Sequence, residues 1–144
     1  MDRTFRGLIG GVIGAIIMNL INLTFFYILK LTKIRFLDWS GIIMLGHRPN
    51  KNIEIIYSLI IHILWTGVLG VILAYLIPQI SSQGYLLKGG LYAFLITFIF
   101  RSLVILYKVP IISNVSINTS IINTTTSFVW GIILALILAK FEQT

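Results

Sequence analysis

The stretch GLIGGVIGAIIMNLINLTFFYIL, Gly7 to Leu29, decides the fold class of this chain. It carries no charged residue and exceeds the ~20 residues that cross the ~30 Å hydrocarbon core of a bilayer. Glycines crowd its first half, two asparagines interrupt its middle and aromatics fill its end. Three further apolar runs follow at 53–77, 85–107 and 119–138. The sequence therefore predicts an all-α integral membrane four-helix bundle, a single transmembrane domain over 1–144 with short connections.

Composition supports the same class. Of 144 residues, 58% are hydrophobic and 10% charged, whereas soluble domains carry ~25% charged residues. Helices that are apolar all round need a large core or a membrane, and the chain has no amphipathic helices to build such a core in water. The net charge of +7 falls in the tails and connections, which reads as membrane topology and attraction to anionic lipid. No Lys/Arg block interleaves with aromatics on a water-exposed helix, so nucleic acid is not an expected partner. The absence of cysteine excludes disulfides, thiolate catalysis and cysteine metal sites. Arg3 and Arg6 precede the first run as in a secretory signal, but a signal's apolar region is ~7–15 residues with a small-residue cleavage site. This run continues through Phe25, Phe26 and Tyr27, and is read as a retained helix.

The polar exceptions carry what functional signal there is. In the first span Gly7, Gly10, Gly11, Gly14 and Ala15 give overlapping small-xxx-small pairs, the candidate helix-packing surface. Asn19 and Asn22 either bond across that contact or line a site. In the second span Glu54, Ser58, His62, Thr66 and Gly70 recur at steps of four. Glu54 lies in the first turn, where the helix dipole favours a carboxylate. His62 lies ~13 Å further in, near the midplane. It is either a neutral histidine bonded to a neighbouring helix or a proton-relay or ligand group. Pro78 is expected to end this span, with Gln79 to Gly84 as a polar turn.

Lys88 in the third span can snorkel, while Arg101 sits ~9 Å from the expected exit at Tyr107. It either snorkels too or meets a buried partner or anionic ligand, with Glu54 the first candidate. The fourth span is polar in its N-terminal half, where Asn123 and Thr124 suggest a face turned to the bundle or water. The candidate polar interior is thus Asn19, Asn22, Glu54, Ser58, His62, Thr66, Arg101, Asn123 and Thr124. Asn-x-Ser/Thr triplets occur there, but Asn22-Leu23-Thr24 inside the first span shows how readily that pattern arises, and no glycosylation is read from it.

The long connection from Lys30 to Asn52 predicts a short interfacial helix over 38–46: Asp38 caps it, Trp39 anchors it among headgroups, Gly46 ends it and Pro49 prevents continuation. A re-entrant segment is the competing reading, and it needs protein cover for its backbone. Asp38, Trp39, His47 and Arg48 are candidate interfacial residues, His47-Arg48 suiting a lipid phosphate. The halves also look like 2+2 tandem copies: Leu8-Ile9-Gly10-Gly11 resembles Leu87-Lys88-Gly89-Gly90, and Trp65 and Ile72-Leu73-Ala74 match Trp130 and Ile137-Leu138-Ala139. Basic residues weakly favour the first and third connections in the cytoplasm.

No nucleophile–base pair, paired carboxylates or helical metal-ligand spacing occurs, so no catalytic residue, metal or cofactor is expected. The sequence predicts a structural or accessory subunit packing against itself or a membrane partner. A small oligomeric transporter or channel unit with a polar interior site is the alternative. Phe36-Leu37-Asp38-Trp39-Ser40-Gly41 with Gly46-His47-Arg48-Pro49, between a Gly-rich first span and an Ile-rich second, resembles a group of small uncharacterised four-span bacterial membrane proteins. That resemblance implies a bacterial inner-membrane location and brings no activity or site residue with it.

Overall fold

The computed structural model describes residues 2–80 and 83–142, which form five helices and no strand. In chain order these are α1 (Arg3–Tyr27), α2 (Phe36–Leu45), α3 (Asn52–Ile80), α4 (Tyr85–Leu106) and α5 (Ile117–Glu142). All but α2 are long and apolar enough to cross a membrane. The protein is a multi-pass four-helix bundle with a short fifth helix in its first connection.

Local chemistry sets the boundaries. Asp2 accepts the Thr4 N–H and starts α1 ahead of the apolar run. Ser116 accepts the Thr119 N–H and starts α5. Gly46 ends α2 in the left-handed conformation at φ 77°. Pro78 does not end α3, which continues for two residues to Ile80; the proline gives up its own N–H bond to the carbonyl four residues back, and the helix stops soon after. Of the expected polar turn, Gln79 and Ile80 are helical, Gln83 and Gly84 do turn, and Ser81 and Ser82 lie outside the described residues.

Glycine contacts define the bundle. A Cβ at Gly7 would lie 2.6 Å from the Val71 Cα, and one at Gly11 would lie 2.5 Å from the Thr66 carbonyl oxygen, so the α1 and α3 backbones touch. Gly10 and Gly14 face α5 instead, against Leu134 and Trp130. The small-residue set therefore serves two neighbours rather than one, with Ala15 fully buried beside it. Trp130 Nε1 donates to the Gly11 carbonyl at 3.2 Å and locks α5 onto α1. A Cβ at Gly89 would approach Ala135 Cβ to 2.6 Å, so α4 and α5 form a second glycine-closed hairpin.

The two hairpins do not meet evenly. Under the 2+2 reading of the sequence the α1–α5 and α3–α4 contacts are equivalent, yet α1 packs along α5 while α3 and α4 hardly touch. Their one cross-link described is the Tyr92 hydroxyl, which donates to the Leu69 carbonyl at 2.8 Å. Above that bond, toward the first and third connections, α3 and α4 stand apart.

The segment between α1 and α3 folds inward at that end. Asp38 has no exposed surface and accepts from the Arg35 backbone N–H at 2.8 Å, from Arg35 Nη2 at 2.7 Å and from Arg48 Nη2 at 2.9 Å. It therefore caps α2 from inside its first turn, and the helix begins two residues before Asp38. Arg35 also donates to the Tyr27 hydroxyl and the Pro49 carbonyl, so one carboxylate organises the whole connection. Burial alone would lower the Arg35 pKa, but the hydrogen bonds and charge of Asp38, helped by Tyr27, raise it above its ordinary value. The first and third connections share this end of the bundle, and the first is tied to the opening turn of α5, where Thr32 Oγ1 donates to Thr119 Oγ1 and the Lys33 N–H does the same.

Candidate functional site

The first turn of α2 reaches well inside the bundle, to the level of Asn22 and His62. The Phe36 N–H donates to Asn22 Oδ1 at 2.9 Å, and the Phe36 ring stacks on the His62 imidazole with centroids 5.4 Å apart. Ser40 then donates to the Ser58 carbonyl at 2.7 Å, and Gly41 fits against Pro49 and Ser58 where no side chain has room. Trp39 is buried against Phe100 of α4 rather than standing among headgroups. Its position follows from Asp38: the buried ion pairs draw the start of α2 inward, and Trp39 follows into the space between α3 and α4.

Two backbone groups fix the polarity of the interior bonds. The Phe36 N–H can only donate, so its partner on Asn22 is the oxygen, and the Asn22 amide nitrogen must be what meets Asn123, at 3.2 Å. Asn123 therefore accepts through Oδ1 and keeps its own Nδ2–H free of that bond. The Ala15 carbonyl can only accept, so the Asn19 nitrogen lies 2.8 Å from it and also donates to His62 Nδ1 at 3.0 Å. A histidine accepting at Nδ1 in its neutral form carries its proton on Nε2. Among the described residues neither Asn123 Nδ2 nor Trp39 Nε1 has a partner, although both residues are more than nine-tenths buried. Among the described residues the one hydrogen bond of the His62 ring is that at Nδ1.

Phe36, Trp39, His62 and Asn123 line one cleft of about 630 Å³ between α3 and α4. Its back wall is the face of α5 carrying Ser120, Asn123, Thr124 and Ser127, spaced i, i+3, i+4, i+7 as one helix face requires. His62 and Thr66 contribute from α3, and Thr97 and Arg101 from α4. The lips are apolar, among them Ile61, Trp65, Ile99 and Leu103. Phe36, Trp39 and Met44 of α2 cover the cleft toward the connections, and Leu69, Ala93 and Trp130 close its other end. All three tryptophans of the chain lie on this cleft.

Arg101 is at its connection-side end. Its guanidinium donates to the Ile112 and Ser113 carbonyls and lies 5.7 Å from the Trp39 ring centroid. Ile111, at φ 73°, turns those carbonyls toward it, a conformation disfavoured for a β-branched residue. Arg101 does not pair with Glu54, the first candidate under the buried-partner alternative. Glu54 instead accepts the Asn50 and Lys51 N–H groups at the start of α3, outside the polar interior, because orphan N–H groups and the helix dipole hold it there. Among the described residues Arg101 has no carboxylate partner; both ion pairs found belong to Asp38.

Of the candidate interior residues, Asn19, Asn22, Ser58, His62, Thr66 and Asn123 are buried together, and Thr124 and half-buried Arg101 face the cleft. Arg48 is engaged by Asp38 and the Lys33 carbonyl, and exposed His47 bonds the neighbouring Arg48 carbonyl. The sequence reading passed over Arg35, Thr32, Thr119 and Tyr92. Arg35 had a usable signal, its three-residue spacing from Asp38 at a helix start. No group of residues able to hold a metal ion occurs among those described. Compared with known proteins, the chain matches no family model, no curated sequence and no solved structure.

Proposed function

We propose that this protein is a membrane-embedded binding subunit that holds a lipid-like amphiphile in the cleft between α3 and α4. The observation that carries this reading is the parting of those two helices above Tyr92, which leaves a sideways-opening cleft with an apolar rim and a polar back wall. Its volume of about 630 Å³ falls within the ~300–1,000 Å³ of small-molecule sites. The opening is too short for a partner's spanning helix. From Ala93 to Leu103 is ten residues of α4, about 15 Å of rise, against the ~30 Å a spanning helix occupies. A flexible acyl or isoprenoid chain fits that length.

The reading keeps the expectation of an accessory, non-enzymatic subunit and relocates what it binds. The interior asparagines and His62 bond one another or the chain's own backbone instead of turning outward to a partner's helices. A through-pore has less support, because below Tyr92 the glycine contacts leave no room for a Cβ. The basic residues Lys30, Lys33, Lys51 and Lys108 gather at the connection end, which we assign to the cytoplasmic side of a bacterial inner membrane.

Extraction in a mild neutral detergent followed by native mass spectrometry tests the proposal. The expected species retains one lipid per chain, and Thr97→Phe or Thr124→Phe, which fill the cleft, lose it while staying folded. Retention unaffected by both substitutions, or a second copy cross-linked across the α3–α4 face, overturns it.

A further inference from the structure

We infer that the amphiphile held in the cleft carries an acidic headgroup, one negative charge shared over acceptor oxygens, and that Arg101 receives it. This rests on the binding role proposed above and specifies its ligand. The argument comes from the sign of the groups the fold has fixed. The Ala15 carbonyl sets His62 with its proton on Nε2, and the Phe36 N–H sets Asn123 with its amide N–H groups unpartnered. The indole of Trp39 can only donate, and so can the guanidinium of Arg101. Four of the residues lining the cleft thus carry N–H donors, those of Asn123 and Trp39 enclosed in its wall, and no lining residue carries a carboxylate.

A buried donor without an acceptor is costly, and Arg101, although it donates to the Ile112 and Ser113 carbonyls, has no carboxylate to balance its charge among the described residues. Donors of this kind are matched by a carboxylate or a phosphodiester, each with one charge and two oxygens, the geometry a guanidinium fork binds. The position of Arg101 suits a headgroup: it lies at the connection end, under the cover of α2, while the apolar lips run from there toward Leu69. Amines and cholines are disfavoured, since Arg101 would repel them.

The experiment uses the cleft's own reporters. Because all three tryptophans line it, a nitroxide on an acyl chain bound there quenches the protein's fluorescence. The full chain in neutral maltoside micelles is titrated with nitroxide-labelled stearic acid, its methyl ester and a nitroxide-labelled phosphatidylglycerol. A pH of about 8.5 keeps the carboxyl group ionised even though partial desolvation at the micelle surface raises its pKa above the ~4.3 of a carboxyl group in water.

The expected result is saturable quenching by an acidic probe at a Kd at least ~10-fold below that of the ester, a difference of ~1.4 kcal/mol. Arg101→Gln abolishes that preference, Arg101→Lys keeps part of it, and Lys51→Gln, which removes a surface charge, keeps all of it. Preference for the fatty acid identifies a carboxylate and preference for phosphatidylglycerol a phosphodiester; either supports the inference. Acid, phospholipid and ester binding equally overturns the headgroup assignment and leaves the cleft as a chain-binding site. Saturable quenching by none of the three overturns the binding role itself. Should Arg101→Gln not fold, the wild-type comparison and Arg101→Lys still decide.

Discussion

Replacing Asp38 by asparagine removes one charge at constant volume and tests how the connection is held. Asp38 has no exposed surface, and its loss leaves Arg35, also buried, as an uncompensated cation. Breaking a buried pair in this way costs about 3–5 kcal/mol. Arg48 is different, because its side chain is 37% exposed and can turn to water, so losing its pair adds only ~0–1 kcal/mol. The expected order of destabilisation is Asp38→Asn first, Arg35→Gln next because Asp38 then keeps Arg48, and Arg48→Gln last. An Arg35→Met/Asp38→Leu double variant removes both buried charges and recovers most of the loss. Unfolding by graded SDS in mixed micelles, followed by tryptophan emission, measures this. Asp38→Asn within ~1 kcal/mol of the wild type, or a double variant as unstable as the sum of its parts, refutes the reasoning.

Other consequences concern packing and caps. Gly70→Ala forces a Cβ into the Gly7–Gly11 backbone of α1, whereas Gly10→Ala meets the movable end of Leu134 at 2.9 Å. The first substitution is expected to destabilise by ~2–3 kcal/mol and the second by less than ~1, read from the same SDS titration. Asn22→Leu orphans the buried Phe36 N–H and should cost about 1–3 kcal/mol, with hydrogen exchange rising first at the start of α2. Gly46→Ala meets no atom within 4 Å, so its expected cost of ~1–2 kcal/mol is the left-handed backbone alone, measurable as a lowered thermal midpoint.

The spans were legible because twenty apolar residues in a row have few structural options, and their ends lie within about four residues of those expected. The small residues of α1 announced close packing, but not that Gly7 and Gly11 serve α3 while Gly10 and Gly14 serve α5. That division depends on where three helices stand, a tertiary matter. The buried asparagines, His62 and Thr66 were recoverable from cost: polar groups at depth turn inward. The Arg101–Glu54 pairing failed because it assumed α4 runs beside α3 at the level of Glu54, where the two helices have parted. Trp39 misled for a related reason. An aromatic in an amphipathic connection belongs at the interface unless something draws it in, and the buried Asp38–Arg35 pair does so here.

Lipid contact along the back wall of the cleft is the central claim, and photo-cross-linking reads it directly. The protein in a bilayer is irradiated with a phospholipid or fatty acid bearing a diazirine in its acyl chain, and the adducts are mapped residue by residue. The account predicts adducts on Asn123, Thr124 and Ser127 of α5 and on Thr97 of α4, in addition to the outward residues Leu95 and Phe98. Labelling confined to the outer surface, on Leu95, Phe98, Ile121 and Leu136 with nothing on the back wall, contradicts it.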